Sequence, residues 1–328
     1  MRALVRAESW PIAGGFRIAR GARREAEVVV LELEAEGQIG RSECVPYGRY
    51  GESVQSVQKS IESAFKGLTE PPHREAIHTT MPPGAARNAV DCALWDLEAK
   101  RTGRAVWELI GLSREPHAVR TMRTVSVDSP EAMREAASKL AHATVLKVKV
   151  DGGPDLERIV AVHEAAPRSE LVIDANESWT EKQLTSWLPK LPAIGVTALE
   201  QPLPAGKDEA LSAMRGLVPL CADETFHDRR SFSAVEGRYD IVNIKLDKTG
   251  GLTEALSILH EAKARGLGTM VGCMVSTSLA VAPALLLAPQ AEYVDLDGPL
   301  LLDRDREGSA HEESASLLRA STAIWGGA

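Results

Sequence analysis

VLKVKVD, residues 145–151, sets two lysines one position apart inside an apolar run. Read as a strand, its period of two aims Lys147 and Lys149 at one face and Leu146, Val148 and Val150 at the other. LELEAEG at 31–37 alternates too, with Glu32, Glu34 and Glu36 together, and reads as a half-solvated antiparallel strand. The lysine strand differs. Its apolar flanks, and its place between two other apolar strands, imply burial on both faces, the mark of a parallel sheet covered by helices. The two ammonium groups would then stand inside a core.

From residue 120 onward, short apolar strands alternate with helical stretches. The strands are TMRTVSV (121–127), VLKVKV (145–150), ELVIDAN (170–176), TALEQP (197–202), VPLCADE (218–224), DIVNIKL (240–246), TMVGCM (269–274) and AEYVDLD (291–297). Such a run of β-α units predicts an α/β chain closed into a barrel, with functional groups where the strands end. A doubly wound open sheet competes, but no GxGxxG turn follows a strand, and the glycine pairs at 152–153 and 250–251 miss that spacing. The preceding part reads differently, as strands at 2–8, 16–20 and 26–35 followed by helices near 53–66, 84–101 and 104–111. GAARNAVDCALWDLEAK (84–100) has a helical apolar period and a packing role. The expected domains are an α+β cap at 1–115, the barrel at 116–310, and a C-terminal segment at 311–328 returning to the cap.

A formal charge of −8 and a pI near 5.6 argue against nucleic-acid or anionic-membrane partners. The chain opens without an apolar h-region, and its longest apolar run, LAVAPALLLA at 279–288, is Pro-interrupted. Cys44, Cys92, Cys221 and Cys273 lie far apart and lack metal-type spacing. A cytoplasmic location is expected, and a homo-oligomer is left open.

Asp174, Glu200 and Asp223 each follow apolar residues at the ends of the third, fourth and fifth strands. Converging carboxylates repel unless neutralised, and an all-oxygen set points to Mg²⁺. Lys147 and Lys149 come from the second strand, and Lys245 and Lys248 follow the sixth, across the mouth. A substrate carboxylate held there has a lysine on each face of its α-carbon, which suits removal of the α-proton, an enediolate, and reprotonation from the other side. Lys147 is expected to repel the charge on Lys149 and make it the better base. Lys248 is read as the opposite acid, and Lys245 as an interior structural lysine. A Schiff-base lysine aldolase would need one lysine but not the carboxylates, and a non-catalytic barrel would need neither.

KVK, DANESW, EQP, ADE and KLDKTGG, in this order and spacing, resemble the enolase superfamily, muconate-lactonizing-enzyme subgroup. GAARNAVDCALWDLEAK and EGQIGRSECVPYGRYGES (36–53) resemble that family's capping domain. The resemblance implies a (β/α)₇β TIM-like barrel under an α+β cap. It implies Mg²⁺ on Asp174, Glu200 and Asp223, and Lys149 and Lys248 as the acid/base pair with Lys147 assisting. In YVDLDGP, Asp295 and Asp297 share a face at the last strand end and want a cation, most simply a substrate ammonium. The motif resembles that of the dipeptide epimerases, which implies inversion of the Glu α-carbon of L-Ala-L-Glu or L-Ala-D-Glu and a place in murein peptide recycling. N-acylamino acid racemases, o-succinylbenzoate synthases and cycloisomerases of the same subgroup are the alternatives. Arg20, Arg23, Arg24 or Arg49 from the cap would meet the Glu side chain, and Thr124 and Asn176 are candidate hydrogen-bonders at the rim. Many members carry Glu two residues after the Met of GCM, where this chain has Ser276.

Overall fold

A computed structural model describes residues 1–309, 311–312, 316–319 and 321–328. The first layer is an antiparallel sheet of β1 (Arg2–Ile18), β2 (Gly21–Ala35) and β3 (Gln38–Cys44). On β2, Leu31, Leu33 and Ala35 are buried, while Glu32 and Glu34 face outward, as the alternation demands. Helices α1 (Val54–Phe65), α2 (Arg74–Thr80) and α3 (Ala85–Thr102) cover the buried face.

Two expectations are corrected here. The segments 2–8 and 16–20 are one long strand, because Pro11 and the glycines that follow make a register shift between Pro11 and Phe16 rather than a break. Strand β3 lies beyond the strands expected, the last of which falls at 26–35. Its inward residues include Gly40, Ser42 and Cys44, small side chains that give no apolar signal but let α3 come close. Helix α2 also went unread.

Helix α3 is buried on nearly all sides because it lies between the cap sheet and the barrel. Its polar residues find partners across that junction. Asn88 Nδ2 donates to Asp247, Trp95 Nε1 donates to Thr253, and Asp91 accepts from the Thr253 N–H and hydroxyl. Near the C-terminus, Trp325 Nε1 donates to the Cys92 carbonyl and the Gly326 N–H to Asp96.

A short strand, β4 (Val119–Arg120), pairs with β14 (Leu317–Leu318), which pairs with β13 (His311–Glu312). The barrel strands are β5 (Arg123–Val125), β6 (Val145–Lys149), β7 (Glu170–Asp174), β8 (Val196–Glu200), β9 (Leu220–Ala222), β10 (Ile241–Lys245), β11 (Gly268–Gly272) and β12 (Tyr293–Asp295). They are parallel and pair in sequential order. The Met122 N–H donates to the Val294 carbonyl at 2.9 Å, which joins the first strand to the last. The fold is therefore the expected α/β barrel with an α+β cap. Helices cross between most strands, but a short 3₁₀ turn at Glu209–Ala213 serves between β8 and β9.

The inward-facing residues form two levels. Met122, Val172, Ala198, Cys221, Ile241 and Met270 make an apolar plug in the lower barrel. One pleat further along, the inward positions carry Lys147, Asp174, Glu200, Asn243 and Asp295. The strand period thus lifts every charged group to the same rim, under the cap.

Gly40 marks the tightest approach of sheet and helix in the cap. A Cβ there would sit 2.6 Å from Leu97 Cβ and 2.7 Å from its backbone nitrogen. Gly40→Ala is expected to destabilise the protein by about 1–3 kcal/mol through overpacking. Thermal denaturation against the parent chain checks this; an unchanged midpoint would contradict it.

Candidate active site

Beneath the cap hairpin lies a cavity partly open to solvent. Its floor is a lattice of buried opposite charges. Lys147 Nζ lies 2.6 Å from Asp295 Oδ2, 2.7 Å from Glu200 Oε2 and 3.1 Å from Asp174 Oδ2. Burial alone would strip its proton, but Asp295, Glu200 and Asp174 outweigh burial and hold it well above the ordinary lysine pKa. Lys149 Nζ sits 2.5 Å from Asp174 Oδ2, and Phe16 of the cap covers it with its ring centroid 5.8 Å away. The two lysines stand side by side because a row of carboxylates receives both. Lys147's charge is met by three acids, so the expectation that it acts mainly by repelling Lys149 gives way to an ion-pair role.

The opposite side of the floor requires a correction. Lys245 Nζ pairs with Asp223 Oδ2 at 2.8 Å and lines the cavity. Lys248 does not line it. Its Nζ is fully buried and donates to Asp223 Oδ1 and its carbonyl at 2.6 Å, to Phe226 O at 2.8 Å and to Asn243 O at 3.1 Å. An ammonium has three protons, and these acceptors occupy them all. Burial pulls Lys248 below the usual lysine range. The reason is local: β10 ends at Lys245, and Lys248 falls in the helical turn Leu246–Thr249. Period two on β10 places Asn243 and Lys245 on one inward face, a signal that would have found Lys245. Gly272 on β11 makes room for them, since a Cβ there would meet Asn243 Oδ1 at 2.6 Å and Lys245 Cε at 3.1 Å.

Asp174, Glu200 and Asp223 are all buried at adjacent strand ends, as expected. For Asp174, burial works upward, but Lys149 and Lys147 win and hold it ionised. For Asp223, Lys245 and Lys248 likewise overcome burial. Glu200 is pushed upward by burial and by the charge of Asp174. Among the described residues, no three carboxylate, imidazole or thiol groups converge as a formed metal cage, since ammonium groups lie between the acids. The chemistry of the donor set nevertheless suits a hard divalent ion. Six buried carboxylates (Asp174, Glu200, Asp223, Glu224, Asp295 and Asp297) face Lys147, Lys149, Lys245, Lys248 and Arg20. The carboxyl groups outnumber the cations by one, and burial holds Glu200 and Glu224 toward their neutral forms, so a bound cation would favour their ionisation.

Glu224 went unread in the sequence. Burial, then Asp223 and Asp174, pushes its carboxyl up to about 7, and Arg20 Nη2 pairs with it at 2.7 Å. Arg20 also donates to Asn176 O at 3.0 Å and to Tyr47 Oη at 3.1 Å, so its guanidinium is committed to the protein. Asn176 lines the cavity, and its Nδ2 faces Glu224 Oε1 at 3.3 Å. Asn176, Glu177 and Gln201 adopt left-handed backbone, with φ of 44°, 70° and 36°, which concentrates strain in the loops after β7 and β8. Gln201 Oε1 accepts the Asp223 and Thr225 N–H groups at 3.0 Å and so braces the loop that carries Asp223.

Arg49 forms a two-pronged pair with Glu177 at 2.9 and 3.0 Å and does not line the cavity; neither does Arg24. Arg23 does, with its guanidinium carbon 5.5 Å from the Tyr47 ring centroid. Thr124 lines the far wall, and its backbone N–H donates to Asp297 Oδ2 at 2.7 Å. Ser276 is buried and donates to the Met274 carbonyl, away from the cavity. An acid still stands near this strand end: Glu43, from β3, accepts from the Thr277 N–H at 2.9 Å and pairs with Arg306 Nη2 at 2.6 Å.

A parallel barrel with lysines on opposite walls and acids between them defines a known class. Residues 1–111 match the mandelate racemase / muconate lactonizing enzyme N-terminal domain, and residues 131–309 match the enolase C-terminal domain-like family. The chain belongs to this family of the enolase superfamily and is an isomerase of the epimerase and racemase kind. It is 49% identical over 302 residues to the L-Ala-D/L-Glu epimerase of Escherichia coli K12, covering 92% of this chain and 94% of that protein. It is 43% identical to the N-acetyl-D-glutamate racemase of a Pseudoalteromonas species, covering 92% and 96%. Among solved structures, an enolase family member from Agrobacterium tumefaciens with homology to dipeptide epimerases, holding sodium and L-Ala-L-Glu, superposes with a TM-score of 0.94 at 42% identity, covering 99% of each chain. The dipeptide epimerase of Enterococcus faecalis V583, complexed with Mg and L-Leu-L-Tyr, gives 0.90 at 28% identity, covering 99% of this chain and 98% of that one.

Lys248→Met would leave a buried carboxylate and three carbonyls short of a donor. The expected cost is about 3–5 kcal/mol of stability. Urea denaturation measures it, and a midpoint equal to that of the parent chain would contradict the assignment of Lys248 to structure.

Proposed function

We propose that the chain epimerises the Glu α-carbon of L-Ala-L-Glu and L-Ala-D-Glu, using Lys149 and Lys245 as paired acid and base. The observation that carries this reading is the placement of those lysines. They end β6 and β10, four strands apart in an eight-stranded barrel and therefore on opposite walls. Each lines the same cavity, and each is tied to one carboxylate at the floor's centre.

Asp174, Glu200 and Asp223 would hold Mg²⁺, which when bound supplies Lewis-acid stabilisation of negative charge on the substrate carboxylate. The lysines do the proton work. In one direction a neutral lysine takes the α-proton from one face, and the ammonium on the opposite wall gives a proton to the other face. The reverse reaction exchanges their roles, so the two directions use the same pair. Lys147 stays charged, fixed by three carboxylates, and adds positive charge beside the reacting carboxylate. Asp295 and Asp297 sit at the end of the cavity suited to the dipeptide's ammonium, and Arg23 at the cap suits the Glu side-chain carboxylate. That acidic end disfavours an N-acyl substrate, whose nitrogen carries no charge. Phe16 and the hairpin that bears it exclude water from Lys149. We place the activity in cytoplasmic murein peptide recycling, where such dipeptides arise.

In D₂O with Mg²⁺, L-Ala-L-Glu is expected to lose its Glu α-proton signal as L-Ala-D-Glu appears, and a chelator should stop both changes. Proton NMR follows this directly. Absence of exchange across a panel of X-Glu and L-Ala-X dipeptides would refute the reading.

A further inference from the structure

Gln201 is fully buried and does not line the cavity, yet its backbone is held in the left-handed region at a φ of 36°. The contacts of its amide show what that strain secures. Its Oε1 accepts the Asp223 N–H and the Thr225 N–H, both at 3.0 Å. Its Nε2 meets Leu203 O and Thr225 Oγ1 at 2.9 Å and Tyr239 Oη at 2.8 Å. The two hydroxyls each carry one proton, and both aim it at Asp208 Oδ2, each at 2.6 Å. That distance is typical of an O–H donating to a charged carboxylate. Asp208 is fully buried, and Arg238 Nη1 pairs with its other oxygen at 2.9 Å. It sits between β8 and β9, directly before the 3₁₀ turn that stands there in place of a helix.

The hydrogen bonds run in one direction. A carboxylate can only accept, so Asp208 claims both hydroxyl protons and leaves lone pairs facing Gln201. The amide answers with its NH₂, and its oxygen is thereby turned to the loop that carries Asp223. We propose that Asp208 is a positioning residue: through Tyr239, Thr225 and Gln201 it sets the hydrogen-bond polarity that holds Asp223 in place against Lys245. Its effect on turnover rests on the reading of Asp223 and Lys245 above; its effect on the position of Asp223 does not.

Reversing the relay tests this. Gln201→Glu keeps an acceptor toward Asp223 but makes two buried carboxylates compete for the same hydroxyl protons. A crystal structure of the metal-free variant is expected to show Asp223 displaced, and kcat for L-Ala-L-Glu should fall about 100-fold. Adding Asp208→Asn frees both hydroxyls to turn to the new carboxylate at position 201. The double variant is expected to recover about 10-fold or more in kcat and to bring Asp223 back. If either stays as it is in Gln201→Glu, the proposal is overturned, as it is by an unmoved Asp223 in Gln201→Glu. Tyr239→Phe removes one hydroxyl without adding charge and carries the test if Gln201→Glu does not fold. It should lower kcat about 5-fold and shift Asp223; parental kcat with Asp223 in place overturns the relay. A parent chain that epimerises no dipeptide refutes the substrate reading alone, and the crystallographic position of Asp223 still decides the role of Asp208.

Discussion

Burying an ion is costly unless another ion and enough hydrogen bonds come with it, and the rim of this barrel buries ions at the ends of β6, β7, β8, β9, β10 and β12. Lys147 is the node of that arrangement. It touches acids from β7, β8 and β12 at once, and is almost fully buried. Of the carboxylates it holds, Asp174 and Glu200 belong to the set that would bind the metal, and Asp295 lines the cavity. The lysine pair that looked misplaced in a core is therefore what makes a core of carboxylates tolerable. Lys248 and Lys245 play the matching parts around Asp223.

The cap is bound to this rim by polar contacts of the same kind. Asp247, between Lys245 and Lys248 in sequence, accepts from the Val45 N–H at 3.0 Å and from Asn88 at 2.8 Å. Burial pushes its carboxyl up to about 7, and these two contacts join the turn after β10 to the cap wall through one buried acid. Glu43 and Arg306 form a second latch beside the last strands. The hairpin bearing Phe16, Arg20 and Arg23 thus rises from a cap held to the barrel at two points.

Most of the barrel was legible because its signals are periodic. Eight apolar segments separated by helix-length connections leave little choice of topology, and the carboxylates at 174, 200 and 223 follow from where those segments stop. The cap was harder. β3 turns Gly40, Ser42 and Cys44 inward, and no hydropathy pattern marks a strand whose buried side chains are small. The choice of Lys248 over Lys245 came from the resemblance of KLDKTGG and its place after the sixth strand, whereas strand parity puts Lys245 on the inner face. Which arginine meets the substrate could not be read at all, since it depends on who claims each guanidinium first. Glu224 takes Arg20 and Glu177 takes Arg49, which leaves Arg23 at the cavity.

The central claim is that inversion needs two lysines on opposite walls, and that the second is Lys245. Epimer-specific α-proton exchange in Lys149→Ala and Lys245→Ala tests it most directly. Each variant should fail to interconvert the epimers, and any exchange that survives should be confined to one epimer, a different one in each variant. Interconversion at the parental rate by Lys245→Ala would contradict the account.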